Sequence, residues 1–215
     1  MTDVQTKVDK FFSRYVRRTY PKGQILLFAG EAPTSIYYLA KGQVSKYAIS
    51  NKGDEIIVNE YKPLAFFEVA WATNNQPSDY FFKTEKSSEV RVAPLDDVIK
   101  FLKENPDVML DLLTRVYRGV DGILGRLVYL MSGNAKDRLM YEILIEARRF
   151  GQKKSDGKII LDVTEADIAA RSGLSRETVS REIQRIKKEG YISTATKSIV
   201  IDNISKIEAK LTRES

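Results

Sequence analysis

Between Tyr20 and about Pro94, apolar residues come in short runs broken by turn formers. The segments PKGQILLFAGEAP, SIYYLAKGQVSKYAIS, NKGDEIIVNEYKP and SSEVRVAP each read as a strand with a turn. Gly23, Gly30, Gly42 and Gly53 punctuate them. Many short strands joined by glycine turns predict a sandwich or barrel. Aromatic residues are dense here: Tyr37, Tyr38, Tyr47, Tyr61, Phe66, Phe67, Trp71, Tyr80, Phe81 and Phe82. They serve either to pack two sheet faces together or to line a ligand cavity, and aromatic content fits both.

After Pro94 the apolar period lengthens to that of helices. LDDVIKFLKENP predicts one short helix ending near Pro106. DVMLDLLTRVYRGVDGILGRLVYLMSGN then runs on without a proline. In it Val116, Val120, Ile123, Leu127 and Leu130 recur at spacings of four, three, four and three. That is a heptad-like seam on one long helix. It suits a homodimer interface, or a helix packed on its own barrel. Gly119, Gly122 and Gly125 lie three apart near one face. Each costs about 1 kcal/mol of helix propensity against alanine, so they allow close backbone approach or simply soften the helix. Ser132, Gly133 and Asn134 form the hinge candidate, with Asn134 or a neighbour capping the next helix. AKDRLMYEILIEARRFG predicts that amphipathic helix, and QKKSDGKIILDV a turn and a short strand.

Composition narrows the chemistry. With 215 residues, 43% of them hydrophobic, the chain can bury a core in one large domain or two small ones. It has no cysteine, which excludes disulfides, thiolate metal sites and cysteine-ligated iron–sulfur clusters. It has no histidine, which removes the usual general base and the commonest zinc and haem ligand. No nucleophile pair stands out, so an enzyme is not expected. Neither a metal nor a cofactor is expected either. No apolar run reaches membrane-spanning length, and MTDVQTKVDKFF lacks the apolar core of a secretion signal. A cytoplasmic protein without a membrane partner is the expectation. The formal charge of +6 pulls toward anionic partners, and residues 134–215 carry the larger share of it.

The basic segment TEADIAARSGLSRETVSREIQRIKKEGYIS gives that charge a shape. Thr164 is a good N-cap, and Ile168 and Ala169 give a short helix its apolar side. Gly173 suits a tight turn, and Leu174 plugs the core. Ser175 then caps a second helix with Val179, Ile183 and Ile186 as its buried stripe, ended by Gly190. This predicts a helix-turn-helix. Ile192 and Ser198–Ile201 add a hairpin whose tip, TATK, forms a wing. With the stripe buried, Arg176, Glu177, Ser180 and Arg181 point outward on the half of the helix that meets base edges. Arginine offers a fork to guanine, and glutamate accepts from cytosine. Arg185, Lys187, Lys188 and Lys197 suit phosphates.

The segments YPKGQILLFAGEAPTSIYYLAKGQVSKYAISNKGDEIIVNEY and GLSRETVSREIQRIKKEGYI resemble the cyclic-AMP receptor/FNR family of bacterial transcription regulators, over nearly the whole chain. The resemblance implies an α+β protein in three parts. These are a cyclic-nucleotide-binding-like jelly-roll barrel with flanking helices (1–105), a long dimerisation helix and hinge (106–133), and a winged helix-turn-helix (134–215). It implies a dimer on a palindromic double-stranded operator with TGTGA-like half-sites, with RNA polymerase as a further partner. The family's SRETV-x-R motif puts base reading on Arg176, Glu177 and Arg181. Phosphate contacts fall on Thr164, Ser175 and Thr178.

The family's nucleotide pocket does not carry over. Cyclic-AMP-binding members have a Gly-Glu pair followed by an Arg-Ser or Arg-Ala pair; here the stretch reads FFEVAWATNNQPSDYFF. Glu68 remains, Phe67 stands at the glycine position, and Ser78 and Asp79 replace the arginine and serine. The adenine-reading Thr-Ser pair falls at Val120 and Asp121. Control by cyclic AMP is therefore not expected, nor is haem or iron–sulfur sensing. The competing reading is a sensor of some other small molecule held in the barrel.

Overall fold

The computed structural model describes residues 3–51, 53–74, 76–195 and 198–212. By internal contacts the chain divides into two compact units, Met1–Tyr117 and Arg118–Ser215.

The first unit comprises α1 (Asp3–Phe12), β1 (Arg17–Tyr20), β2 (Ile25–Leu27), β3 (Ser35–Lys41), β4 (Val44–Ile49), β5 (Glu55–Tyr61), β6 (Phe66–Phe67), α2 (Val69–Asn74), β7 (Phe81–Thr84), β8 (Ser88–Pro94) and α3 (Leu95–Glu104). It also holds the start of α4 (Pro106–Ser132). The strands form two four-stranded sheets, ordered β1-β8-β3-β6 and β2-β7-β4-β5, with antiparallel pairing throughout. The predicted barrel is thus realised as two facing sheets, and the ladders described close neither of them.

Strand β3 shows how two-residue alternation builds three layers. Ile36 and Tyr38 face α1 and α3, in a core with Phe11, Phe12, Phe101 and Leu102. Tyr37 and Leu39 face the other sheet, with Val44, Phe67, Phe82 and Val90. The β3–β4 turn depends on Gly42, whose φ is +96°. A Cβ there would lie 2.6 Å from Ser88 Cα and 2.7 Å from the Ser87 carbonyl oxygen.

The remainder of α4 opens the second unit. It is followed by α5 (Ala135–Phe150), β9 (Gln152–Lys153), β10 (Ile159–Leu161), α6 (Glu165–Ser172), α7 (Arg176–Lys188), β11 (Ile192–Ala195), β12 (Ser198–Ile201) and α8 (Ile204–Thr212). The sheet order is β11-β12-β10-β9. One core gathers Leu139, Met140 and Ile143 of α5 with Ile168, Val179, Ile183, Ile186, Ile201 and Ile207.

The break after α4 falls at Gly133, and Asn134 caps α5 by accepting from the Asp137 N–H. The three glycines of α4 separate by role. A Cβ on Gly125 would collide with the Tyr141 ring, so Gly125 permits close approach, whereas Gly119 and Gly122 face open space. One turn of α4 is bolted to α5 through Arg126, whose Nε and Nη2 donate to the two oxygens of Glu142 at 2.8 and 2.7 Å.

Gly42→Ala combines a left-handed backbone with a clash against backbone atoms. It is expected to destabilise the first unit by about 1–3 kcal/mol, read as an earlier urea transition in tyrosine and tryptophan fluorescence.

Candidate nucleic-acid interface

Helix α6 is entered through a capping box. Thr164 Oγ1 accepts from the Asp167 N–H, and Asp167 accepts from the Thr164 N–H at 2.7 Å. The helix ends on Gly173 in the left-handed region at φ +65°, and Arg138 donates to the Ser172 carbonyl at 2.9 Å. Ser175 caps α7 by accepting from the Thr178 N–H, and its hydroxyl lies 3.0 Å from that of Thr178. Helix, left-handed turn and helix therefore follow the predicted order. Thr164, Ser175 and Thr178 all sit at helix entrances, where backbone N–H groups favour anions.

Val179, Ile183 and Ile186 are fully buried beneath α7. On its outer side Arg176, Glu177, Arg181, Arg185, Lys187 and Lys188 are exposed, while Ser180 is half-buried. The Glu177 carboxyl is held below its usual range by its own backbone N–H and by the Ser175 hydroxyl. Arg181 and Arg185 already have intramolecular partners. Glu182 Oε1 lies 3.3 Å from Arg181 Nε, Glu182 Oε2 3.7 Å from Arg185 Nη1, and Glu189 Oε1 3.4 Å from Arg185 Nε. Lys136 donates to Glu189 and holds that carboxyl below its ordinary range. Lys187 Nζ donates to Thr194 on β11 at 3.1 Å, tying α7 to the β11–β12 hairpin. Lys197, assigned to the wing tip, lies outside the described residues.

In the first unit, the structure brings Glu68 and Ser78 together and fills the place between the sheets with side chains. Phe67 stacks on Tyr61 and Phe82 with ring centroids 4.7 and 5.4 Å apart. Glu68 has φ +71°, and its side chain is 1% exposed. Its Oε1 is 3.7 Å from Lys46 Nζ, which lies 4.5 Å over the Tyr80 ring. Burial pushes the Glu68 carboxyl up and the Lys46 amine down. Ser78 is buried and fully tied: its hydroxyl meets the Tyr80 backbone, and its carbonyl accepts from the Gly30 N–H at 2.8 Å. Asp79 is exposed, and its charge bears on Lys46. A cavity of about 460 Å³ lies elsewhere, between α1 and α3, lined by Lys7, Lys10, Phe11, Arg14, Lys100 and Phe101 among others. Among the described residues, no group of three or more His, Cys, Asp or Glu is placed to hold a metal.

On α4, Val116, Val120, Ile123, Leu127 and Leu130 are all exposed, as are Leu124 and Val128 beside them. Asp121 is exposed as well. No helix among the described residues is long and apolar enough to cross a membrane.

Two residues escaped the sequence reading, and both are charges in apolar surroundings. Lys46 interrupts the apolar strand VSKYAI, and Glu182 falls on the buried face of α7 beside Ile183. A charge at a position that the local period assigns to the interior was the available signal.

Comparison with known proteins matches this architecture in two blocks. Residues 17–105 match the cyclic nucleotide-binding domain, and residues 137–210 match the Crp-like helix-turn-helix domain. The chain is 28% identical over 191 residues to the global nitrogen regulator of Synechocystis sp. PCC 6803, covering 87% of this chain and 85% of that one. It is 28% identical over 190 residues to the fumarate and nitrate reduction regulatory protein of Escherichia coli K12, covering 87% and 75%. The crystal structure of TTHA1359, a CRP/FNR-family transcriptional regulator from Thermus thermophilus, superposes with a TM-score of 0.73 at 21% identity, covering 93% and 100%. The chain belongs to the CRP/FNR family of DNA-binding transcription regulators, which act by binding rather than by catalysis.

The buried Lys46–Glu68 pair yields a test. Lys46→Met strands the Glu68 carboxylate and is expected to cost about 3–5 kcal/mol at neutral pH, whereas Lys46→Met/Glu68→Gln recovers most of it. Because burial raises the Glu68 pKa in the folded chain, the neutral acid is the form the fold favours. The single variant's deficit should therefore shrink as pH falls, as measured by urea unfolding across pH.

Proposed function

We propose that the chain is a homodimeric, sequence-specific transcription regulator that reads a palindromic operator and is not switched by cyclic AMP. One observation carries the reading. Arg176, Glu177 and Arg181 are exposed on the first turns of a helix whose opposite face is buried, directly after a capped helix and a left-handed glycine turn. Arg176 and Arg181 stand about 7.5 Å apart along the axis, far enough to address different base pairs. Glu177 accepts from a cytosine amino group, and the three together suit a TGTGA-like half-site. Thr164, Ser175 and Thr178 meet phosphates at the helix entrances; Arg185, Lys187, Lys188 and Lys197 meet them along α7 and the wing.

The exposed seam of α4 supplies the two-fold partner, so residues 106–133 act as dimerisation helix and hinge between a sensor-like part (1–105) and a DNA-binding part (134–215). A palindromic operator matches such a two-fold dimer. RNA polymerase is the further partner this reading implies, and operator position decides between activation and repression. Cyclic AMP is denied a site because Phe67 fills the place where backbone approaches phosphate, Ser78 is tied up and Asp79 adds a negative charge. Val120 and Asp121 offer no hydroxyl to an adenine. Calorimetry with cyclic AMP is expected to register no micromolar binding.

Selection of bound sequences from a random duplex pool tests the reading directly, the expected product being an enriched palindrome. On that duplex Arg181→Ala should cost about 1–3 kcal/mol per half-site, and much less on unrelated DNA. Lys188→Ala should weaken both about equally and flatten the salt dependence. A folded protein that enriches no palindrome contradicts the assignment.

Light scattering should give twice the 24.5 kDa of one chain. Val120→Asp/Leu127→Asp should return it to a single chain, since charge in an apolar seam forfeits its burial.

A further inference from the structure

Glu182 occupies a position where a carboxylate is costly. It lies on the buried stripe of α7 between Val179 and Ile183, and its side chain is 9% exposed. A charge so placed is tolerated only if cations come to it. Two do. Arg181 brings Nε to 3.3 Å of Oε1, and Arg185 brings Nη1 to 3.7 Å of Oε2. The Arg181 side chain is otherwise 68% exposed, reaching over its neighbour from the outer surface.

The edge of the guanidinium that is held matters. Arginine has one N–H at Nε and a fork of four on its two terminal nitrogens, all in one rigid plane. Engaging Nε fixes that plane and leaves the terminal fork outward, the arrangement that meets two acceptors on one base edge. An arginine with no such tether loses more rotamer freedom when it docks. The carboxylate beside it also offsets part of its attraction for bare phosphate, which is the sequence-blind part of DNA binding.

We infer that Glu182 is a positioning residue for sequence reading, holding Arg181 by Nε so that its terminal fork faces a base pair. The inference rests on the assignment of Arg181 as a base reader. It extends that assignment to a residue that itself touches no DNA.

The test uses the full chain, the duplex enriched from the random pool, each of its single-base variants and an unrelated duplex. Glu182→Gln keeps the shape and removes the charge. Glu182→Leu suits the apolar stripe and protects against a simple failure to fold. Both are expected to reduce discrimination at one base pair of each half-site by about three- to tenfold, within the range for residues in contact. Discrimination at the other pairs is unchanged, and affinity for the unrelated duplex is unchanged or higher. In an Arg181→Ala background, Glu182→Gln should have no further effect on discrimination. A merely structural role would instead lower affinity for every duplex together, which overturns the inference. Full discrimination in Glu182→Gln, alongside its loss in Arg181→Ala, overturns the positioning role and leaves base reading intact. Wild-type discrimination in Arg181→Ala, or a pool that enriches nothing, removes the base-reading assignment and this inference with it.

Discussion

The outward face of α7 exists because its inward face has nowhere else to go. Val179, Ile183 and Ile186 are fully buried in the core built on α5, and each such side chain contributes roughly 1.5–3 kcal/mol by leaving water. That burial fixes the rotation of the helix about its axis. It leaves Arg176, Glu177 and Arg181 exposed, without any of the three contributing to the core. The capping box at Thr164, the left-handed Gly173 and the Ser175 cap then fix where the helix starts. What α7 presents outward is thus set by apolar packing on one side and three short polar devices at the ends.

The first unit applies the same physics to the opposite effect. Stacked rings of Tyr61, Phe67 and Phe82 occupy the space between the two sheets, and Lys46 answers Glu68 from within the chain. The family match over residues 17–105 describes the architecture, while the side chains at Phe67 and Ser78 describe a different interior, with Asp79 exposed beside it. An ion pair with little access to water is held by geometry, since burial opposes both charges.

Most of the second unit was legible in the sequence. Caps, glycine turn and apolar stripe are local signals, and each agrees with its neighbours. The long helix was legible for the same reason, and its seam is exposed at Val116, Val120, Ile123, Leu127 and Leu130. The first unit was harder. Strand β6 is two residues long, and β1 reads RRTY, polar enough to pass for a loop until it pairs with β8. Closure into a barrel is a property of ladders between distant strands, which no local pattern encodes. Lys46 and Glu182 were missed because their significance comes from what packs around them, not from their spacing.

The exposed stripe on α4 runs across the boundary between the two contact units: Val116 belongs to the first, and Val120 through Leu130 to the second. A surface that covers this stripe therefore grips both units at once. In the proposed homodimer, assembly and operator binding are linked equilibria, and linkage is reciprocal. By whatever factor pairing of two chains strengthens their hold on a two-fold operator, the operator strengthens the pairing by the same factor. On that proposal the cellular concentration of the chain itself becomes a regulatory input.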